Sequence, residues 1–178
     1  AGLGFPGRIH SDDVEALLKQ YQDVAAVYIT SPDYFGVLAD IKSISEVCHR
    51  YHVPLLVDNA HGSHLFLTPE NLHPIHLGAD MTACSAHKTL PVLTGGAFLN
   101  IASDIYAANA KDAMALFGST SPSYPIMASL DLCMQWAETK GKEAYLQLQK
   151  RVVKMKEMAA AKGIAIPLGE TDPVRITL

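Results

Sequence analysis

Two polar side chains that could do chemistry stand where apolar runs of the sequence end. Asp58 closes the run VPLLVD, and Lys88 follows the run MTACSAH. A carboxylate at the end of a buried strand is costly unless a cation or donors meet it, so Asp58 is a cap, a metal ligand or a functional acid. An ammonium in the same setting is poorly hydrated, which favours its neutral, nucleophilic form, although a strand-end lysine can also extend into solvent.

Together the two residues indicate one chemistry more specifically than either does alone. A lysine that forms a Schiff base with an aldehyde and a carboxylate that keeps a pyridinium nitrogen protonated are the groups that a protein supplies to pyridoxal 5′-phosphate. In such a site the lysine holds the cofactor and moves protons, and the acid lets the ring accept electrons from the substrate. The segment between Asp58 and Lys88 is about one crossover long, which can place two strand ends side by side.

Alternating strand-like and helix-like segments must position these two residues. Strands are predicted over 25–31, 53–60, 81–87 and 96–101, and helices over 11–21, 37–51, 126–139 and 142–162. Ser11 is the predicted N-cap of the first helix, and the last two helices are separated near Gly141. This alternation is typical of an α/β fold with a mostly parallel sheet, whose ligands bind beyond the carboxyl ends of the strands.

The composition excludes several classes of function. Lys and Arg number 14 and Asp and Glu 18, for a net charge of −4, which argues against a sequence-independent nucleic-acid binder. No apolar run is long enough to span a bilayer, and the N-terminus shows no signal peptide, so no membrane role is expected. The three widely spaced cysteines suggest free thiols in a reducing compartment, so the cytoplasm is the expected location.

Four motifs resemble those of one enzyme family. VDNAHG (57–62) and SAHKTL (85–90) resemble the bacterial-type ornithine/lysine/arginine decarboxylases, and TSPDYFG (30–36) and GSTSPSYPIMASLD (118–131) are similar to two further motifs of that family. The resemblance covers nearly the whole chain. It implies the aspartate-aminotransferase-like fold type I, a three-layer αβα arrangement with a mostly parallel sheet. It also implies pyridoxal phosphate as cofactor and decarboxylation of ornithine, lysine or arginine to a polyamine or its precursor, in a cytoplasmic homodimer or higher homo-oligomer.

The same resemblance implies roles for individual residues. Lys88 matches the lysine that carries the cofactor, Asp58 matches the partner of the ring nitrogen, and His61 completes the candidate catalytic set. The other candidate cofactor-binding residues are Ala60 against the ring face, Ser85 and His87 near the phosphate, and Ser31, with Thr30, in the turn facing the phenolic oxygen. The loop 120–124 matches a segment near the dimer interface.

The sequence departs from the family pattern in three ways. Asn59 replaces the acid of the commoner DEAHG motif, and Gly95 and Gly96 stand where many relatives carry a larger residue. Relatives are also longer, with a phosphate-binding turn and a ring-stacking group upstream and a small domain downstream. We therefore expect residues 1–162 to be part of the cofactor-binding large domain and 163–178 to begin a truncated small domain. We expect the chain alone to bind the cofactor weakly and to be inactive.

Four alternatives remain open on the residues alone. A metal site is conceivable because six histidines fall in pairs three residues apart, at 49 and 52, 61 and 64, and 73 and 76, but no metal is expected. A hydrolase could use Ser85 and His87, which would share a face of a strand, although no GxSxG motif is present. Methionines on the late helices could serve a non-catalytic interaction module. An aminotransferase-like reaction could use the same lysine and acid.

Overall fold

Parallel strands form most of the sheet, as predicted. The computed structural model describes residues 8–119, 121–164, 166 and 170–177. Within them the sheet has the order β1-β2-β3-β4, with the strands β1 (Val27–Thr30), β2 (Leu55–Asp58), β3 (Met81–Cys84) and β4 (Phe98–Ile101). β1, β2 and β3 are parallel, and β4 is antiparallel to β3. The carboxyl ends of β2 and β3 are therefore neighbours at one edge of the sheet, whereas β4 returns the chain to the opposite edge.

Helices connect the strands and then dominate the second half of the chain. They are α1 (Ser11–Gln20), α2 (Ile41–Arg50), α3 (Ala86–Thr89), α4 (Asp104–Ala115), α5 (Tyr124–Trp136) and α6 (Lys142–Ala161), with a 3-10 turn at Leu65–Leu67 and a π-helical turn at Ala137–Gly141. The predicted break near Gly141 is wrong, because the π-helical turn joins α5 to α6 without interruption. The prediction that Gly163 caps the last helix is confirmed, because α6 ends at Ala161 and Gly163 follows its C-cap with φ of +73°. Among the described helices, none is long and apolar enough to cross a membrane.

The described core covers one face of the sheet. Ile29, Leu55 and Val57 pack against residues of α1 and α2, such as Leu18 and Ile44. Val57 pairs with Thr82, which pairs with Asn100, so these strand positions point to the same side. The opposite face carries Tyr28, Asp58, Ala83 and Leu99 and is open to solvent among the described residues, with Tyr28 67% exposed.

Two predicted boundaries differ from the structure in ways that bear on the site. The strand predicted over 81–87 ends at Cys84, and the chain turns into the short helix α3, whose N-cap is Ser85. Ser85 and His87 therefore do not share a strand face, because backbone bonds such as that from the Lys88 N–H to the Ser85 carbonyl close a helical turn. The predicted N-cap Ser11 is the first residue of α1, and His10 is the N-cap.

A cluster of polar side chains is buried on the covered face of the sheet. The Sγ atom of Cys84 lies 3.2 Å from Asn59 Nδ2, 3.3 Å from Asn100 Nδ2 and 3.4 Å from His73 Nε2. The Ile75 N–H donates to His73 Nδ1, so Nδ1 is an acceptor and Nε2 carries the proton directed at sulfur. Burial raises the pKa of the Cys84 thiol and lowers the pKa of His73 to about 4. Folding therefore favours a neutral His73.

The depressed pKa of His73 predicts a loss of stability in mild acid. His73 takes up a proton near pH 6.5 in the unfolded chain but only near pH 4 in the folded protein. Its contribution to the free energy of unfolding is therefore complete above pH 6.5 and is lost as the pH falls towards 4. At pH 5 the loss is about 2 kcal/mol. We expect His73→Gln to lose less thermal stability than the natural protein between pH 7 and pH 5. His10→Gln, at an exposed position, is the control, and parallel losses in His73→Gln and the natural protein would contradict the prediction.

Candidate active site

Asp58 lies at the carboxyl end of β2, on the open face of the sheet. Its Oδ1 accepts a hydrogen bond from the Ala60 N–H at 3.0 Å, and its Oδ2 accepts one from the Tyr28 hydroxyl at 3.4 Å. Burial, and then the charge of Asp58, raise the pKa of Tyr28, so this phenol remains a donor at neutral pH. Sequence reasoning missed Tyr28, although Thr30 pairs with Asp58 and a period of two places Tyr28 on the same face.

Lys88 lies in α3, directly beyond the carboxyl end of β3. Because β2 and β3 are parallel neighbours, this position brings Lys88 to the same edge of the sheet as Asp58. Contrary to the expectation of a poorly hydrated ammonium, the side chain is exposed among the described residues. The helical turn, rather than a continuing strand, carries the lysine out of the sheet. Within the described part of the chain, its ammonium forms no ion pair and no hydrogen bond.

His61 is the group on which both Asp58 and Lys88 act. Burial lowers the pKa of His61, and the positive charges of Lys88 and Arg175 lower it further. The carboxylates of Asp58 and Asp33 raise the pKa of His61, but by less than burial and the two cations lower it. The imidazole also contacts the Tyr34 ring edge-on, with centroids 5.8 Å apart. A neutral imidazole that feels both the acid and the amine is suited to proton transfer in this site.

The residues expected near the cofactor phosphate lie on the same turn as Lys88. Ser85 is the N-cap of α3, and His87 is its second residue. The backbone N–H and the Nδ1 atom of His87 both approach the Gly96 carbonyl, at 3.1 Å and 3.0 Å. A carbonyl only accepts, so Nδ1 carries a proton, and Nε2 is directed elsewhere. A Cβ at Gly96 would lie 2.3 Å from Val92 Cγ1, which gives a packing reason for this departure from the family.

Ala60 and Ser31 have different surroundings. Ala60 lies just after the end of β2, and its N–H donates a hydrogen bond to the Asp58 carboxylate. Ser31 is buried, its Oγ accepts from the Ala39 N–H at 3.1 Å, and it lines a cavity with Leu38 and Asp40 rather than the cavity that contains Lys88. Its cofactor role stays a prediction. Of the loop predicted at 120–124, position 120 lies outside the described residues, and Tyr124 begins α5.

Asn59 has a structural reason to differ from the family acid. The side chain is fully buried, and its Nδ2 donates to the Gly62 carbonyl at 3.1 Å and faces Cys84 Sγ at 3.2 Å. A carboxylate in this place has no proton to donate to either acceptor. A Cβ on Gly62 would lie 2.1 Å from Asn59 Oδ1, so position 62 has no room for a side chain.

A second group of residues reaches the site from far along the chain. Thr171 forms an antiparallel bridge with Val37, which positions Asp172. Asp172 Oδ1 lies 3.1 Å from His64 Nε2, and both side chains are about 2–3% exposed. The sequence analysis named His64 only among the paired histidines and did not assign Asp172, because residues 108 apart carry no local signal.

Tyr145 connects this pair to the lysine-bearing helix. The Tyr145 ring stacks on His64 with centroids 5.3 Å apart, and its hydroxyl donates to the Thr89 carbonyl. Burial raises the pKa of Tyr145 to about 12, so the hydroxyl stays a donor. A cavity of about 430 Å³ opens beside this chain of contacts, lined by Lys88, His61, His64, Thr89, Tyr145, Leu148, Asp172, Val174 and Arg175.

The paired histidines do not form a metal cluster in the structure. His49 Nε2 contacts Asp80 Oδ2 at 3.0 Å, whereas His61, His64 and His73 have the separate partners given above. No group of three or more potential metal-ligating side chains occurs among the residues that the structure describes.

The fold is shared with a solved enzyme structure. Pyridoxamine-pyruvate aminotransferase from Mesorhizobium loti superposes with a TM-score of 0.64 over 83% of this chain and 41% of that chain, at 17% identity. The likeness confirms the predicted fold class, a three-layer αβα fold with a mostly parallel sheet.

Residues 2–171 match the family described as Orn/Lys/Arg decarboxylase, major domain. The protein YaaO of Bacillus subtilis (strain 168) is 34% identical over 100% of this chain, and the arginine decarboxylase of the same strain is 34% identical over 79% of it. The chain spans 39% and 29% of the lengths of these two relatives. It belongs to the Orn/Lys/Arg decarboxylase family, which confirms the resemblance found in the sequence.

Proposed function

We propose that this chain is part of a pyridoxal-phosphate-dependent decarboxylase that acts on ornithine, lysine or arginine and releases a polyamine or its precursor. The observation that carries the proposal is the placement of Asp58 and Lys88. They follow parallel, adjacent strands, and both act electrostatically on His61. Membership of the decarboxylase family and the arginine decarboxylase relatives support the choice of reaction and substrate class.

The donor set fits pyridoxal phosphate. Lys88 has an ammonium without a partner among the described residues, and Asp58 stands on the open sheet face beside the small Ala60. We propose Lys88 as the residue that holds the cofactor, Asp58 as the partner of its ring nitrogen, and Ala60, Ser85, His87 and Ser31 as further binding residues. When bound, the cofactor supplies an electron sink for the bond that breaks at the substrate α-carbon.

The side chains around the cofactor would hold and move protons. Asp58 Oδ1 accepts a hydrogen bond from the Ala60 N–H, which orients the carboxylate. His61 is neutral near pH 7, because burial lowers its pKa, and can therefore accept a proton. We propose His61 as a catalytic base or acid next to the Lys88 amine. Tyr34 fixes its ring by an edge-on contact.

We further propose the wider setting of this chain. Residues 1–162 belong to the cofactor-binding domain, and 163–178 begin a second, smaller one. A homodimer is supported by large apolar side chains that are exposed among the described residues, with Phe117 94% exposed. A cytoplasmic location is supported by the three free cysteines, Cys48, Cys84 and Cys133.

Product analysis tests the proposed reaction. The complete protein that carries this chain is loaded with pyridoxal phosphate and incubated separately with ornithine, lysine and arginine, and the products are identified by mass. We expect one amino acid to yield the amine that has lost CO2. An oxo acid would instead indicate aminotransferase chemistry, and no product from any of the three would contradict the proposal.

A further inference from the structure

We infer that a cavity of about 300 Å³ on the covered face of the sheet binds a small neutral molecule, one that carries an apolar ring or chain and a single hydroxyl or carbonyl group. The cavity lies between the segment 63–75, β3, β4 and α5. Among the described residues, none that lines it also lines the cavity beside Lys88, and Asp58 lines neither. The inference therefore does not depend on the proposed function.

Apolar side chains form one part of the cavity wall. They are Phe66, Ile75, Phe98 and Met134, which come from four different parts of the chain. None of the four is fully buried, and Met134 is 37% exposed. A molecule that covers them removes apolar surface from water, which favours binding. Mostly apolar walls with a few polar groups, at this volume, are typical of sites for small molecules.

A buried hydroxyl without a partner lies in the polar part of the wall. Ser63 is 3% exposed, and its Oγ forms no hydrogen bond among the described residues. The other polar residues of the wall are already engaged with one another, because His73 Nε2 and Asn100 Nδ2 lie 3.4 Å and 3.3 Å from Cys84 Sγ. An unsatisfied buried hydroxyl is costly, and it can both donate and accept. One hydroxyl or carbonyl group on the ligand would satisfy Ser63.

The absence of charge in the wall determines the class of ligand. Of the described residues that line the cavity, none is Asp, Glu, Lys or Arg. Burial lowers the pKa of His73 to about 4 and raises the pKa of the Cys84 thiol, so both side chains are neutral at pH 7. An ion that entered would lose its hydration without gaining a counter-ion. A neutral molecule is therefore favoured over a charged amino acid or a phosphate ester.

The cavity adjoins the strand end that leads to the lysine-bearing helix. Cys84 is the last residue of β3, and Ser85, the N-cap of α3, follows it directly. Cys84 Sγ also lies 3.2 Å from Nδ2 of Asn59, the residue after Asp58. A molecule in the cavity would therefore contact the end of β3 from the face opposite to the one that carries Asp58.

NMR of the methionine methyl groups in the complete protein tests this inference. The probe is phenol, which is neutral at pH 7 and has one ring and one hydroxyl. With 13C-methyl methionine, and with Met134→Leu to assign the signal, we expect phenol to shift the Met134 resonance with a Kd on the order of 1 mM. The Met158 resonance should not move, because Met158 is exposed on α6 and does not line the cavity. Benzoate, which is anionic, should bind at least about 10-fold more weakly than phenol.

Ser63→Ala tests the role of the hydroxyl. We expect this variant to raise the Kd of phenol about 3- to 10-fold and that of toluene, which has no hydroxyl, less than about twofold, because a hydrogen bond is lost only with phenol. The variant should fold normally, since Ser63 Oγ has no partner among the described residues. Ser123→Ala, at an exposed position outside the cavity, should bind both probes like the natural protein.

Several outcomes would overturn the inference. A Met134 signal that does not respond to phenol would mean that water or another part of the complete protein fills the cavity. Equal shifts at Met134 and Met158 would indicate non-specific binding. Binding of benzoate as tight as that of phenol would refute the neutral class of ligand, and equal weakening of phenol and toluene in Ser63→Ala would refute the role of the hydroxyl.

Discussion

Replacing Lys88 by methionine is expected to lower kcat about 1000-fold or more and to remove the visible absorbance of covalently attached pyridoxal phosphate. The amine is the only proposed point of covalent attachment, and loss of a covalent catalytic group costs several orders of magnitude in other enzymes. Methionine has a similar length and no nucleophile, and the ammonium has no partner among the described residues, so the fold should be retained. The two measurements are amine production and the absorbance of the attached cofactor at wavelengths of about 300–500 nm.

Lys111→Met is the matched control for this experiment. Lys111 is exposed on α4 and outside the cavity that contains Lys88, so its loss should change neither absorbance nor rate. If the Lys88 variant retained both the absorbance and the activity, another amine would be the point of attachment and the proposed site would be wrong. If the Lys88 variant still bound a partner molecule, and neither it nor the natural protein produced any amine, a non-catalytic interaction module would be favoured.

Replacing Asp58 by asparagine is expected to lower kcat about 100- to 1000-fold while the cofactor remains attached to Lys88. Asparagine has nearly the same shape, and its Oδ1 can still accept from the Ala60 N–H, so the turn after β2 should be preserved. What is lost is the negative charge that, in the proposed site, keeps the ring nitrogen protonated. Removal of one such electrostatic contribution typically costs about 3–4 kcal/mol in the transition state. Steady-state rates and the visible spectrum are to be compared with those of the natural protein.

Asp33→Asn supplies the comparison for Asp58→Asn. The Asp33 carboxylate also acts on His61, and its Oδ1 accepts from two backbone N–H groups, those of Phe35 and Val37. We expect the Asp33 variant to change kcat less than about fivefold, because it does not face the ring nitrogen in the proposed site. Equal losses of kcat in the two variants would mean that the rate depends on negative charge near the site in general, and the specific role of Asp58 would be refuted.

The edge of the sheet at which the site forms was predictable from local patterns. Two apolar runs, each followed by a reactive side chain, predict neighbouring strand ends, and β2 and β3 are indeed parallel partners. The helical turn that carries Lys88 was not predictable in this way. The apolar run continues through Ala86, and only tertiary contacts, such as those of His87 with the Gly96 carbonyl, show that the strand has ended.

The distal wall of the site could not be predicted from the sequence, for a physical reason. Asp172 reaches His64 because residues 170–172 pair with 36–38, and such pairing depends on the whole chain path. Nothing near Arg175 in the sequence indicates that it stacks on Tyr34. Periodicity reports which face of an element is apolar, whereas contacts between distant segments are determined by topology.

The reversal of direction at β4 offers a place for a spectroscopic label. Because β4 runs antiparallel to β3, Ile101 lies opposite Met81, and α4 begins at the end of the sheet remote from the catalytic groups. Ala107 is exposed on the second turn of that helix, and the natural thiols are all buried. An Ala107→Cys protein should therefore take up a maleimide dye at a single position of this chain, and the emission of the dye can test whether subunits associate.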